Sequence, residues 1–211
     1  MVQILVILLI GYFLGSLPTA YLVVRWKLHQ DIRKLDSGNV GALNCYIVTG
    51  SKGLGLTVLC VDVAKTALAL LIVKGTFGAD FWSLGMCGIA AVGGHNFPVW
   101  LRFHGGRGLA ASAGVMLLLG WALLPLWIAL WLMAYWKTRD ILLGNGWATL
   151  VTPIVLLVVP SSAVAIASTY SIPVADFMIF VALLSGIVLL KHVKPIIANL
   201  KGRRAQRVEL S

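Results

Sequence analysis

Charge is scarce in this chain: 11% of its 211 residues are Asp, Glu, Lys or Arg, and just 7 are acidic. A soluble domain carries about a quarter. With 60% hydrophobic residues and a mean hydropathy of +0.95, no water-soluble fold could hide the apolar surface, so an integral membrane protein is predicted. Other absences narrow the chemistry. No carboxylate pair suited to glycoside hydrolysis stands out, and there is no G-x-x-x-x-G-K-[ST] loop for a nucleotide. Cys45, Cys60 and Cys87 show no C-x-x-C spacing, so neither a disulfide framework nor a zinc site is supported. No metal and no cofactor are expected. No internal repeat is evident, which removes the inverted-repeat sign of many transporters. The apolar run follows Met1 with no basic leader or small-residue cleavage site, and it is expected to be a retained first span.

Long apolar runs fill the rest. Spans are predicted over residues 2–24, 54–73, 81–93, 109–123, 126–136, 141–159 and 174–190, with Pro125 breaking the fourth from the fifth and residues 160–173 as an outer connection. Gly11 and Gly15 form a G-x-x-x-G that permits close helix contact. The net charge of +10 would suggest nucleic acid in a soluble protein. Here the basic residues fall between or after the apolar runs, so membrane orientation and anionic lipid explain them and no nucleic-acid partner is expected. Of 17 Lys and Arg, only Lys65 and Lys74 fall off the cytoplasmic side. The result is an all-α integral membrane protein: a seven-transmembrane-helix bundle with short cytoplasmic re-entrant or interfacial segments, N-terminus outside and C-terminus cytoplasmic. Residues 1–211 form a single transmembrane domain, with 191–211 as a basic cytoplasmic tail.

Three polar stretches then gather on one membrane face. Residues 35–46 are too glycine-rich for a lipid-facing helix and too apolar for a solvated loop, so a re-entrant or interfacial segment is expected. The alternative is a short helix capped by Asp36 or Ser37. Residues 94–111 hold Gly105, Gly106, Arg107 and Gly108 between apolar runs. Glycines there let successive N–H groups point into one concavity, Arg107 adds a forked cation, and a helix starting at Leu109 would offer its N-terminus to an anion. A plain turn between two helices is the alternative. The third stretch, 191–204, contains His192. Ser37, Asn39, Asn44, His95, His104, Arg107 and His192 would thus share one face, a set that suits a phosphorylated, membrane-bound substrate. Asp62 and Lys65, three apart inside a span, read as an ion pair or as substrate contacts.

The order S-L-P-T-A-Y-L, D-I-R-K-x-x-S-G-N-V-G-A-L-N, D-V-A-K, G-H-N-F-P-V-W-L-R-F-H-G-G-R-G resembles the PlsY family, the acyl-phosphate-dependent glycerol-3-phosphate acyltransferases of bacterial membranes. The resemblance covers most of the chain up to about residue 110. It implies a seven-helix bundle in the bacterial inner (plasma) membrane, with acyl phosphate and glycerol 3-phosphate as substrates. Lysophosphatidic acid for phospholipid biosynthesis would be the product. By that likeness Ser37, Asn39, Asn44 and His95 are the catalytic positions, while Gly38, Gly41, Gly105, Gly106, Arg107, Gly108 and His192 bind substrate phosphate. Arg107 stands where the family has Lys. Leu43, Ile47, Leu142, Pro195, Ala198 and Arg204 replace a Thr, an Arg, a Ser, an Asn, an Arg and a Glu, with Asn145 a polar residue near 142. Two readings stay open: an acyltransferase, or a catalytically weakened relative serving as a lipid- or anion-binding or structural subunit of a larger membrane assembly.

Overall fold

A computed structural model describes residues 1–209, and among these the chain is wholly helical. The helices are α1 Val2–Gly15, α2 Thr19–Leu28, α3 Ala42–Thr49, α4 Lys52–Phe77, α5 Phe81–Asn96, α6 Leu109–Leu119, α7 Leu123–Thr138, α8 Ile141–Val158, α9 Ser161–Ala167, α10 Val174–Leu189 and α11 Val193–Glu209. Leu22, Leu68, Leu117, Ile128, Leu157 and Leu183 stand exposed on six different helices, so the outer surface is apolar. Lipid, not water, solvates such a surface.

The expected G-x-x-x-G contact is realised. A Cβ on Gly11 or Gly15 would strike the backbone of Cys87 or Ala91, so α1 and α5 lie backbone against backbone. That pairing fixes the end of α5, where the site is built. A main apolar core runs through α1, α4, α5, α6 and α10. A smaller cluster of Val24, Ile32, Val40, Cys45, Val58 and Leu101 supports the polar loops.

Several sequence boundaries move. The first apolar run breaks at Ser16–Pro18 into α1 and α2, because Pro18 has no N–H to continue the ladder. Pro125 does not separate two spans: α6 stops earlier, at Gly120, and Pro125 sits in the first turn of α7, where a missing N–H costs no helical bond. The connection at 160–173 contains α9. The basic tail is the helix α11, bent 50° from α10; the side chains from 202 onward, including those of Arg203, Arg204 and Arg207, lie outside the described residues. Among the described residues, 2–28, 52–77 and 141–158 are long and apolar enough to cross a membrane, with a fourth crossing if α10 and α11 count as one bent span. Helix length alone therefore does not reproduce the seven-span count. At 1.5 Å per residue, the 16 residues of α5 and of α7 reach about 24 Å and the 11 of α6 about 16 Å, against about 30 Å of hydrocarbon.

Candidate functional site

Where α5 ends, its last carbonyls need partners. After Asn96 the chain makes a 3-10 turn at Val99–Leu101 and reverses through Arg102 and Phe103, both left-handed (φ 53° and 63°). It then returns to α5: the N–H groups of Gly105 and Gly106 donate to the carbonyls of Asn96 (3.2 Å) and His95 (3.0 Å). Tyr12 Oη pins the loop from α1 by donating to Phe97 O at 2.8 Å. The expected cradle of backbone amides is therefore partly spent at Gly105 and Gly106. Two of its N–H groups are taken up by closing the loop, since buried amides pair with the nearest free carbonyls. The turn offers Arg107 and the first turn of α6, which has no side-chain cap.

Gly106 is needed for contact. A Cβ there would collide with His95 Nε2 and stand 2.8 Å from the Val40 carbonyl. The first polar stretch and the glycine turn therefore touch at this residue. Gly108 takes φ +82° as the residue before α6, a conformation that favours glycine.

Asn44 shapes the first stretch from inside. Its Nδ2 donates to Asn39 O at 2.8 Å and Leu35 O at 3.4 Å, folding residues 35–41 back over α3. Gly38 turns with φ +67° and its N–H donates to Leu35 O. The helix begins at Ala42 behind Gly41, so neither Asp36 nor Ser37 caps it. Ser37 is exposed and Asn39 half-buried. Arg33 ties this stretch to the next by donating to Leu101 O at 3.1 Å, while Asp31 grips its guanidinium at 2.6 Å and is held below the usual carboxylate range by that bond.

Beneath lies a buried polar trio. Lys65 Nζ sits 2.7 Å from Asp62 Oδ1 and 3.2 Å from His95 Nδ1, and Thr19 Oγ1 donates to the same Asp62 oxygen at 3.1 Å. The expected ion pair is present, and it reaches a histidine that the sequence spacing alone did not connect to it.

The third stretch arrives through the turn after α10. Asn96 Nδ2 donates to Ile187 O at 2.9 Å, joining α5 to α10. Lys191 lies over the Phe97 ring at 4.7 Å, and burial first, then the Arg107 and Lys194 charges, lower its pKa. His192 is fully buried; its Nδ1–H donates to Val188 O at 2.9 Å, leaving Nε2 a lone pair without a protein partner. Burial first, and then the Arg107 charge, lower its pKa, so the ring is neutral. An accepting nitrogen suits a hydroxyl better than a phosphate. His104 instead faces solvent, with Nδ1 2.7 Å from Arg102 O.

The positions of altered chemistry divide. Leu43 and Ile47 lie on the outer face of α3, 44% and 50% exposed, and Leu43 lines an open cleft of about 260 Å³ with Tyr46, Lys52 and Leu59. Lys52, unremarked in the sequence beyond its charge, brings a cation into the same cleft as Leu43. Leu142 lies in the first turn of α8, its N–H bound to Asp140 Oδ1 at 2.7 Å, and Asn145 is half-buried nearby. Pro195 occupies the first turn of α11, and Asn199, next to Ala198, donates to Asp140 Oδ2 at 2.8 Å. A narrow apolar cleft of about 270 Å³ starts at Leu109 and Ala110 and runs between α6, α7 and α10.

Fold and site together define a multi-pass, all-helical membrane protein whose polar centre is assembled from three sequence stretches. The family model described as glycerol-3-phosphate acyltransferase matches residues 5–202, and the chain belongs to that family. It is 40% identical over 149 residues to a glycerol-3-phosphate acyltransferase of Rhodopseudomonas palustris, covering 71% of this chain and 74% of that one. Against glycerol-3-phosphate acyltransferase 4 of Dehalococcoides mccartyi it is 48% identical over 120 residues, 57% of this chain and 50% of the relative. The chain thus spans about half the length of the Dehalococcoides relative. The crystal structure of PlsY (YgiH), an integral membrane glycerol 3-phosphate acyltransferase, superposes in its glycerol 3-phosphate form with a TM-score of 0.77 at 28% identity, covering 95% of this chain and 93% of that one. Its lysophosphatidic acid form superposes with a TM-score of 0.74.

Proposed function

We propose that this protein transfers an acyl group from acyl phosphate to glycerol 3-phosphate, forming lysophosphatidic acid and releasing phosphate. The observation that carries this reading is the meeting of the three polar stretches around Gly106 and Arg107: the Val40 carbonyl lies against Gly106, Lys191 lies over the Phe97 ring, and the Arg107 charge acts on Lys191 and His192. Arg107 and the uncapped start of α6 receive phosphate. His192 Nε2 accepts from the attacking hydroxyl and orients it. That oxygen bonds to the acyl carbon, the bond to phosphate breaks, and the hydroxyl proton leaves through the His192 hydrogen bond. Phosphate is a good leaving group, so no protein nucleophile is required; orientation and charge neutralisation lower the barrier. Ser37, Gly38, Asn39 and Gly41 form the opposing loop, held by Asn44 from α3. The acyl chain fits the cleft beginning at Leu109.

In this reading the reaction takes place at the cytoplasmic face of the bacterial plasma membrane, in a bundle of about seven crossings with the N-terminus outside. Lys52 beside Leu43, in a cleft open to solvent, favours turnover over a purely binding or structural role. Complementation tests it. A bacterial strain conditionally lacking its own glycerol-3-phosphate acyltransferase should grow when supplied with this chain and fail to grow with Arg107→Ala; absence of rescue by well-expressed, membrane-inserted wild type would contradict the proposal.

A further inference from the structure

The ammonium of Lys65 has three N–H bonds and meets three acceptors. Asp62 Oδ1 lies at 2.7 Å, Leu17 O at 2.7 Å and His95 Nδ1 at 3.2 Å. Each comes from a different part of the fold: α4 itself, the break between α1 and α2, and the end of α5. An ammonium has donors only, so His95 Nδ1 must accept, and a neutral imidazole that accepts at Nδ1 carries its proton on Nε2. Lys65 is the nearer Nδ1 partner: Asp62 Oδ1 stands 3.6 Å from that nitrogen, against 3.2 Å for Lys65 Nζ, and already accepts from both Lys65 and Thr19. Nε2 in turn abuts Gly106, where only a glycine leaves room for it.

We propose that Lys65 is a positioning residue: locked by Asp62 and the Leu17 carbonyl, it holds His95 in the tautomer whose Nε2–H faces the glycine turn. His95 then donates a hydrogen bond to an oxygen of the bound substrate and does not act as the base. The two histidines take opposite parts, because the partner of each Nδ1 differs: Lys65 forces His95 to donate at Nε2, and the Val188 carbonyl forces His192 to accept there. The role in turnover rests on the acyl-transfer reading; the tautomer does not.

Nitrogen-15 NMR of the full-length protein in micelles, with labelled histidine, reads the tautomer directly, and His95→Gln assigns the signals among the four histidines. A protonated Nε2 and a bare Nδ1 at His95 are expected, and the reverse pattern overturns the proposal. In Asp62→Asn/Lys65→Met, which removes both charges so that neither is stranded, the His95 signals should move toward Nδ1–H or a mixture. A folded double variant retaining the wild-type pattern also overturns it; if that variant does not fold, the wild-type pattern alone decides. Kinetics supply a separate arm. His95→Gln keeps a side-chain N–H and should retain kcat within about tenfold, whereas His95→Ala should lose on the order of a hundredfold. Equal losses in the two overturn the donor role. An inactive wild type with the Nε2–H pattern would sink the acyl-transfer reading and leave the Lys65 assignment standing.

Discussion

Gly106 sits between the His95 ring and the Val40 carbonyl with no space for a methyl group. Gly106→Ala is therefore expected to destabilise the protein by about 1–3 kcal/mol through overpacking, and to reduce activity beyond that by pushing His95 away. Thermal unfolding in detergent checks the first effect and kcat the second. Arg107 is half-buried and belongs to no ion pair among the described residues, and in the proposed reaction it receives phosphate. Loss of a charged hydrogen bond is worth about 1.5–3 kcal/mol, so Arg107→Ala should weaken glycerol 3-phosphate binding by roughly 10- to 100-fold with unfolding unchanged. Isothermal calorimetry measures this, and unchanged binding would remove Arg107 from the site. At His192, beyond the end of α10, burial and Arg107 hold the folded pKa below the ordinary 6.5. As pH falls, the unfolded chain takes up that proton first. The stability linked to a neutral His192 is thus complete above about pH 6.5 and is lost as pH falls below it. Wild type should lose more thermal stability between about pH 7 and pH 5 than His192→Asn does.

At the scale of elements, α11 is held against α8 by the bond from Asn199 to Asp140, the residue that also caps α8. Asn199→Ala should loosen α11 while leaving α1 and α5 unchanged. Hydrogen exchange would show faster exchange confined to the last helix and the turn carrying His192; uniform exchange throughout would contradict this. Element boundaries were partly legible. A close contact of α1 followed from the spacing of Gly11 and Gly15, because small residues four apart make one flat helix face, but its partner α5 did not. The α6–α7 boundary was not, since a proline reads as a breaker unless its position within a helix is known, and Pro125 falls in a first turn. Helix α9 was hidden in a connection too short and too weakly periodic to declare itself.

For the whole molecule, composition sufficed for the membrane class, and the sequence singled out the polar stretches of which the first touches the glycine turn at Gly106. The pairing inside that site was not legible. Asp62 and Lys65 announced each other by helical spacing, whereas the link from Lys65 to His95 spans 30 residues and depends on how α4 packs against α5. Likewise, glycine content suggested an amide cradle, but the chain path uses the Gly105 and Gly106 amides to close its own loop. The most direct test of the central claim is phosphate release from palmitoyl phosphate by the purified protein, with and without glycerol 3-phosphate. The account predicts release that depends on glycerol 3-phosphate and is matched by lysophosphatidic acid formed. No release at high protein concentration, beside a competent family member as control, would contradict it.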